Sequence, residues 1–122
     1  MKSSFARSAP RLAFLALASV VFFQPTLSAA HPSIDMAVKN WSFTPAVIEG
    51  HVGEATLLRF TSSEGVHGVE SSEIGLPKTT IVPGKVVEAT FTPKKAGTFL
   101  VHCTIVCGDG HDKMAFTVKV VN

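Results

Sequence analysis

Phe99, Val101 and Cys103 share one parity along the chain, and Met114, Phe116, Val118 and Val120 form a second run of the same kind. Successive side chains of a strand point to opposite faces, so each run marks a strand with one face against a core. The two runs bracket the segment Cys103-Thr104-Ile105-Val106-Cys107-Gly108-Asp109-Gly110-His111-Asp112-Lys113-Met114. If Phe99 and Val101 point inward, so does Cys103, and Met114 enters its strand from the same side. A loop clamped by two strands with both ends turned inward restricts the chain to a sheet architecture.

The remainder agrees. After residue 30 no stretch holds a 3.6-residue apolar period long enough for a substantial helix. Ile34, Met36 and Val38 alternate with Asp35, Ala37 and Lys39, Trp41-Ser42-Phe43 runs into Pro45, and Val47-Ile48-Glu49 forms a short strand. Gly50-His51-Val52-Gly53 is expected to turn the chain. The next strand places Leu58 and Phe60 inward, and Val66 to Val69 is a short strand carrying His67. Pro83-Gly84 marks a turn, Val87, Ala89 and Phe91 share a face, and Thr92 to Gly97, with Pro93 and Gly97, turns again. Short strands spaced about 8–12 residues apart predict an all-β sandwich or barrel. No repeat, low-complexity tract or second domain is visible.

Residues 1–30 are different in kind. A basic start (Lys2, Arg7, Arg11), an apolar stretch from Leu12 to Phe23, Pro25 and a closing Ser28-Ala29-Ala30 read as a secretory signal peptide cleaved near Ala30. The apolar stretch falls well short of the roughly 20 residues needed to cross a bilayer. There is no twin arginine and no lipidation cysteine, so any metal would be loaded after export. The chain has 11 Lys and Arg against 9 Asp and Glu. Three of the basic residues lie in the leader, which leaves residues 31–122 with a net charge of −1. A nearly neutral domain without a basic stripe argues against nucleic acid and anionic membrane surfaces as partners. A domain of about 90 residues buries a modest core, which a bound metal would help to hold together.

The loop supplies a metal's ligands. Two thiols, an imidazole and a thioether form a soft donor set, suited to copper cycling between two oxidation states rather than to cations that take oxygen. Cys107, His111 and Met114 with one upstream histidine would make a mononuclear blue-copper site. Cys103 changes that expectation, because two thiolates facing one cavity can each bridge two metals. Two coppers with one histidine each are then expected. Among the remaining histidines His67 is preferred, since Gly65 and Gly68 flank it and let another loop approach closely. His102 should face away from Cys103, and His51 should be a solvated turn residue. His31 would become the amino terminus after cleavage, where amine and imidazole can chelate copper, but it has no histidine partner.

Other readings compete. Two cysteines in an exported protein usually form a disulfide. A Cys103–Cys107 bridge would close a small ring and add little stability, and it suits an oxidised, copper-free form. Met114 alone would be core, continuing the Phe116 face; at this spacing after Cys107 and His111 it is assigned as a ligand.

The C-x3-C-x3-H-x2-M loop, with Gly108 after the second cysteine and His67 upstream, resembles the CuA domain of cytochrome c oxidase subunit II and of nitrous oxide reductase. Trp41-Ser42-Phe43-Thr44-Pro45, Glu64-Gly65-Val66-His67-Gly68, Pro83-Gly84, Phe91-Thr92-Pro93 and Gly97-Thr98-Phe99 follow in the family's order, over most of residues 38–121. The resemblance implies a cupredoxin-like Greek-key β-sandwich holding two copper ions. It implies Cys103 and Cys107 as bridging thiolates, His67 and Met114 on one copper, and His111 with the main-chain carbonyl of Ile105 on the other. It also implies a redox partner such as a c-type cytochrome or a terminal oxidase. Where oxidase subunits usually carry a Glu whose carboxylate holds magnesium against the catalytic subunit, this chain has Ile105, which cannot. The chain has no Tyr, and Trp41 stands too early to be equated with the aromatic patch through which electrons reach the oxidase subunits.

The expectation is a periplasmic electron carrier, a monomer with no membrane span in the mature chain and no catalytic residues of its own. A periplasmic copper chaperone and a mononuclear blue-copper protein are the alternatives. A thioredoxin-like thiol module would need helices that the periodicity does not provide.

Overall fold

The computed structural model describes residue 10, residues 16–27 and residues 29–122. Parts of the expected leader therefore lie outside the described residues. Among those described, no helix is long and apolar enough to cross a membrane.

Alternating burial builds the first sheet. Strand β1 (Ser33–Lys39) buries Met36 and Val38 and turns Asp35, Ala37 and Lys39 outward. On one side it pairs antiparallel with β2 (Ser42–Thr44), Val38 standing opposite Phe43. Two strands follow along the chain: β3 (Val47–His51) and β4 (Thr56–Ser62). Strand β4 lies parallel to β1 with Met36 opposite Phe60. Next come β5 (His67–Ser71) and β6 (Leu76–Ile81), an antiparallel hairpin, and then β7 (Val86–Phe91), which pairs antiparallel with β4. The first sheet has the order β2-β1-β4-β7.

The second sheet joins distant parts of the chain. Strand β8 (Gly97–His102) runs antiparallel to β9 (Ala115–Val121), which also pairs parallel with β3, giving the order β3-β9-β8. Between β8 and β9 the chain makes a short 3-10 turn at His111–Lys113. The two sheets meet at aromatic rings. Phe43 packs edge-on against Phe116 at 5.0 Å between centroids, and Phe60 lies 6.5 Å from the same ring. Phe60, Phe91, Phe116, Leu58 and Met36 are fully buried around this junction. Each such side chain contributes about 1.5–3 kcal/mol over its exposed state.

The expected parities of β1, β4, β7, β8 and β9 are observed, and the fold is all-β. Two local expectations are corrected. Gly50 and His51 do not turn the chain but complete β3, and the turn falls at Val52 and Gly53. A side chain at Gly50 would stand 2.9 Å from the ring of Phe91, so glycine here admits a neighbouring core ring into the strand. Strand β6 was not expected, because Leu76-Pro77-Lys78-Thr79-Thr80-Ile81 contains a proline and buries only Leu76, Thr79 and Ile81, without a clean alternation. Its partner β5 carries an irregularity between Val69 and Ser71 that breaks the period there too.

Candidate metal centre

Three strands deliver side chains to one point. His67 begins β5, Cys103 follows β8 directly, and Met114 precedes β9. The Cys103 N–H donates to the Met114 carbonyl at 2.9 Å, which extends the β8–β9 ladder to both residues. The Thr104 N–H donates to the Gly68 carbonyl, also at 2.9 Å, which ties the loop to β5. Strand parity turns Cys103 and Met114 inward, so His67, Cys103 and Met114 are buried while Cys107 and His111 are half-buried.

The sulfurs of Cys103 and Cys107 lie 3.6 Å apart, well beyond the bonding distance of about 2.0 Å, and both are free thiols. Each has its own imidazole. His67 Nδ1 is 4.0 Å from Cys103 Sγ, and His111 Nδ1 is 3.6 Å from Cys107 Sγ. The Met114 thioether accepts from the Cys107 thiol at 3.7 Å, and the Ile105 carbonyl accepts from the Cys103 thiol at 3.2 Å. The six residues read from the sequence as ligands are thus gathered around one sulfur pair. His67, Cys103 and Cys107 hold their donor atoms within 4.8 Å of one another. The imidazole Nε2–H of His67 donates to the Glu64 carbonyl at 2.8 Å. A carbonyl only accepts, so in the neutral ring Nδ1 keeps its lone pair and presents it to Cys103.

His102 is exposed on the outer face of β8, and His31 and His51 are exposed as well, far from burial in the cluster. Partial burial, then the hydrogen bond with Cys103 and the charge that Cys103 would carry, push the Cys107 thiol up from 9.0 to about 11. The metal-free chain therefore holds Cys107 as a neutral thiol at neutral pH, and a bound cation would favour its thiolate.

Trp41 was not among the residues expected at the site. It stands early in the chain, yet its indole N–H donates to the Cys107 carbonyl at 3.1 Å. Its ring also lies where a side chain at Gly108 or Gly110 would be, at 3.0 and 2.5 Å from an added Cβ. The signal available in the sequence was Gly108-x-Gly110, which opens a flat space beside the second cysteine. Gly68 plays a similar part below the loop, where an added Cβ would meet Thr104 Oγ1 at 2.6 Å and the Ile105 side chain at 2.9 Å. Ile105 thus turns its side chain back onto β5, while Val106 is 83% exposed at the tip.

The cupredoxin-like domain family matches residues 12–114, which is most of the chain. The chain belongs to the cupredoxin-like family. Among sequence relatives of this cupredoxin-like chain, cytochrome c oxidase subunit 2 of Thermus thermophilus is 30% identical over 82 residues, covering 66% of this chain and 58% of that protein. A probable cytochrome c oxidase subunit 2 of Streptomyces coelicolor is 45% identical over 47 residues, 38% of this chain and 15% of that protein. The cupredoxin-like chain therefore spans less than two thirds of the length of these relatives. Among solved structures, the periplasmic domain of cytochrome oxidase subunit II of Bradyrhizobium japonicum superposes with a TM-score of 0.66 at 20% identity, covering 75% of this chain and 84% of that one. That likeness supports the cupredoxin-like fold.

Proposed function

We propose that this protein is an exported electron carrier with a binuclear CuA centre. The observation that carries the reading is the pair of free thiols at 3.6 Å, each facing a different imidazole nitrogen. A single blue-copper set uses both imidazoles but only one thiolate and leaves Cys103 without purpose; two coppers use both thiols. The donor chemistry fits, since two sulfur bridges, two imidazoles, a thioether and a carbonyl suit copper and not a hard cation.

In this reading Cys103 and Cys107 would be shared by both ions, His67 and Met114 would hold one, and His111 and the Ile105 carbonyl would hold the other. Bound copper supplies a one-electron couple shared over two metals. The chain supplies the rest: β5, β8 and β9 fix His67, Cys103 and Met114, and Trp41, packed against Gly108 and Gly110 and donating to the Cys107 carbonyl, steadies the loop that carries Cys107 and His111, so the donors move little between redox states. The partner is a redox protein, a c-type cytochrome or a terminal oxidase, met by the monomeric chain in the periplasm after removal of residues 1–30. Ile105 offers no carboxylate for a metal shared with a catalytic subunit, so the docking differs from one built on such a contact. Coulometric titration of the copper-loaded protein tests the carrier role. One reversible electron per pair of coppers is expected, and irreversible copper release on reduction would favour a chaperone.

A further inference from the structure

We propose that Ser62 is a positioning residue for the His67 imidazole, acting through the Glu64 carbonyl from outside the donor cluster. Ser62 ends β4 and is buried, and its Oγ lies 3.0 Å from the Glu64 carbonyl and 2.8 Å from the Gly65 carbonyl. Its one hydroxyl proton is shared between two acceptors of the same short turn. The Glu64 carbonyl also accepts the His67 Nε2–H at 2.8 Å, so Ser62 and His67 meet on a single oxygen.

The turn is confined from both sides. Gly65 has φ +75°, in the left-handed region, and a Cβ there would stand 2.6 Å from Asn40 Oδ1 and 3.0 Å from His67 Nε2. The next residue after Ser62 is tied to the first sheet by the Ser63 N–H, which donates to the Val38 carbonyl at 2.9 Å. The hydroxyl thus links a rigid strand end to the carbonyl that selects the His67 tautomer. Without it, the Gly65 carbonyl loses its side-chain donor and the Glu64 carbonyl keeps only the His67 N–H, so the Glu64 oxygen is no longer anchored to the strand end. Nδ1 of His67 would then no longer be held as the lone-pair side facing Cys103. A ligand's other ring nitrogen is commonly fixed by such a partner; here the fixing depends on a serine five residues earlier.

The inference rests on His67 being a copper ligand, but its test is made on the metal-free, reduced chain. Imidazole ¹⁵N shifts and Nε2–H exchange of His67 are recorded with the ring neutral. The native protein should carry the proton on Nε2; in Ser62→Ala a mixture of tautomers and about tenfold faster exchange are expected, matching loss of one hydrogen bond. Ser62→Thr, which keeps the hydroxyl, should restore the native pattern. A folded Ser62→Ala protein with native His67 shifts and exchange overturns the proposal, as does a native ring protonated on Nδ1. If Ser62→Ala does not fold, Gly65→Ala, which pushes the same turn, should shift the His67 tautomer, and an unchanged tautomer there again overturns it. A native protein that shows the expected tautomer and serine dependence but binds no copper would contradict the copper reading alone.

Discussion

Cys107 is the residue at which the metal-free chain most opposes a thiolate. Its thiol ionises at about 11 in the folded chain against 9.0 ordinarily, because burial and Cys103 both oppose the thiolate. A raised folded value means that the stabilising contribution is fully present below pH 9 and is lost as pH rises toward 11. The urea midpoint of the metal-free protein should therefore fall across that interval, and Cys107→Ser should remove this part of the decline. Cys103 makes the opposite test, of the metal. Cys103→Ser should bind one copper in place of two, because Cys107, His67, His111 and Met114 remain while one bridge is gone; metal analysis of the loaded variant decides it. Of the six proposed ligands, Cys103, Cys107, His111 and Met114 were read from donor type and spacing and His67 from its flanking glycines, whereas the Ile105 carbonyl came only from the family resemblance, because a main-chain donor leaves no mark on residue type. Trp41 was not legible in the sequence, because its hydrogen bond to the Cys107 carbonyl spans 66 positions and only the fold brings them together.

At the scale of elements, period-two patterning located the strands that matter for the site. Strands β8 and β9 alternate cleanly because one face of each is buried against the opposite sheet, and that parity fixed the inward direction of Cys103 and Met114. Strand β6 escaped because Pro77 and its uneven burial erase the period. Gly50 misled for a different reason: glycine marks turns by its conformational freedom, but here it is needed for the absence of a side chain beside Phe91. Gly50→Ala should destabilise the protein by about 1–3 kcal/mol through overpacking against a buried ring that cannot swing away. Chemical denaturation measures this, and the spectrum of the copper-loaded variant should stay native because β3 carries no ligand. An unaltered midpoint would show that the strand yields to the methyl group.

For the whole molecule, core and metal centre share the same strands. Phe116 joins the rings of Phe43 and Phe60 between the sheets, two positions along β9 from Met114. Phe116→Ala should cost about 3–5 kcal/mol, read as a lowered urea midpoint in the metal-free protein. Copper binding should raise the thermal midpoint, since it adds ligation only to the folded chain, and stripping the metal should reverse the gain. The central claim is the binuclear centre. The most direct measurement loads the reduced protein with copper, counts metal per chain and records the paramagnetic spectrum. The account predicts two coppers per chain with one unpaired electron spread equally over both nuclei, whereas one copper per chain with the hyperfine pattern of a single nucleus would contradict it.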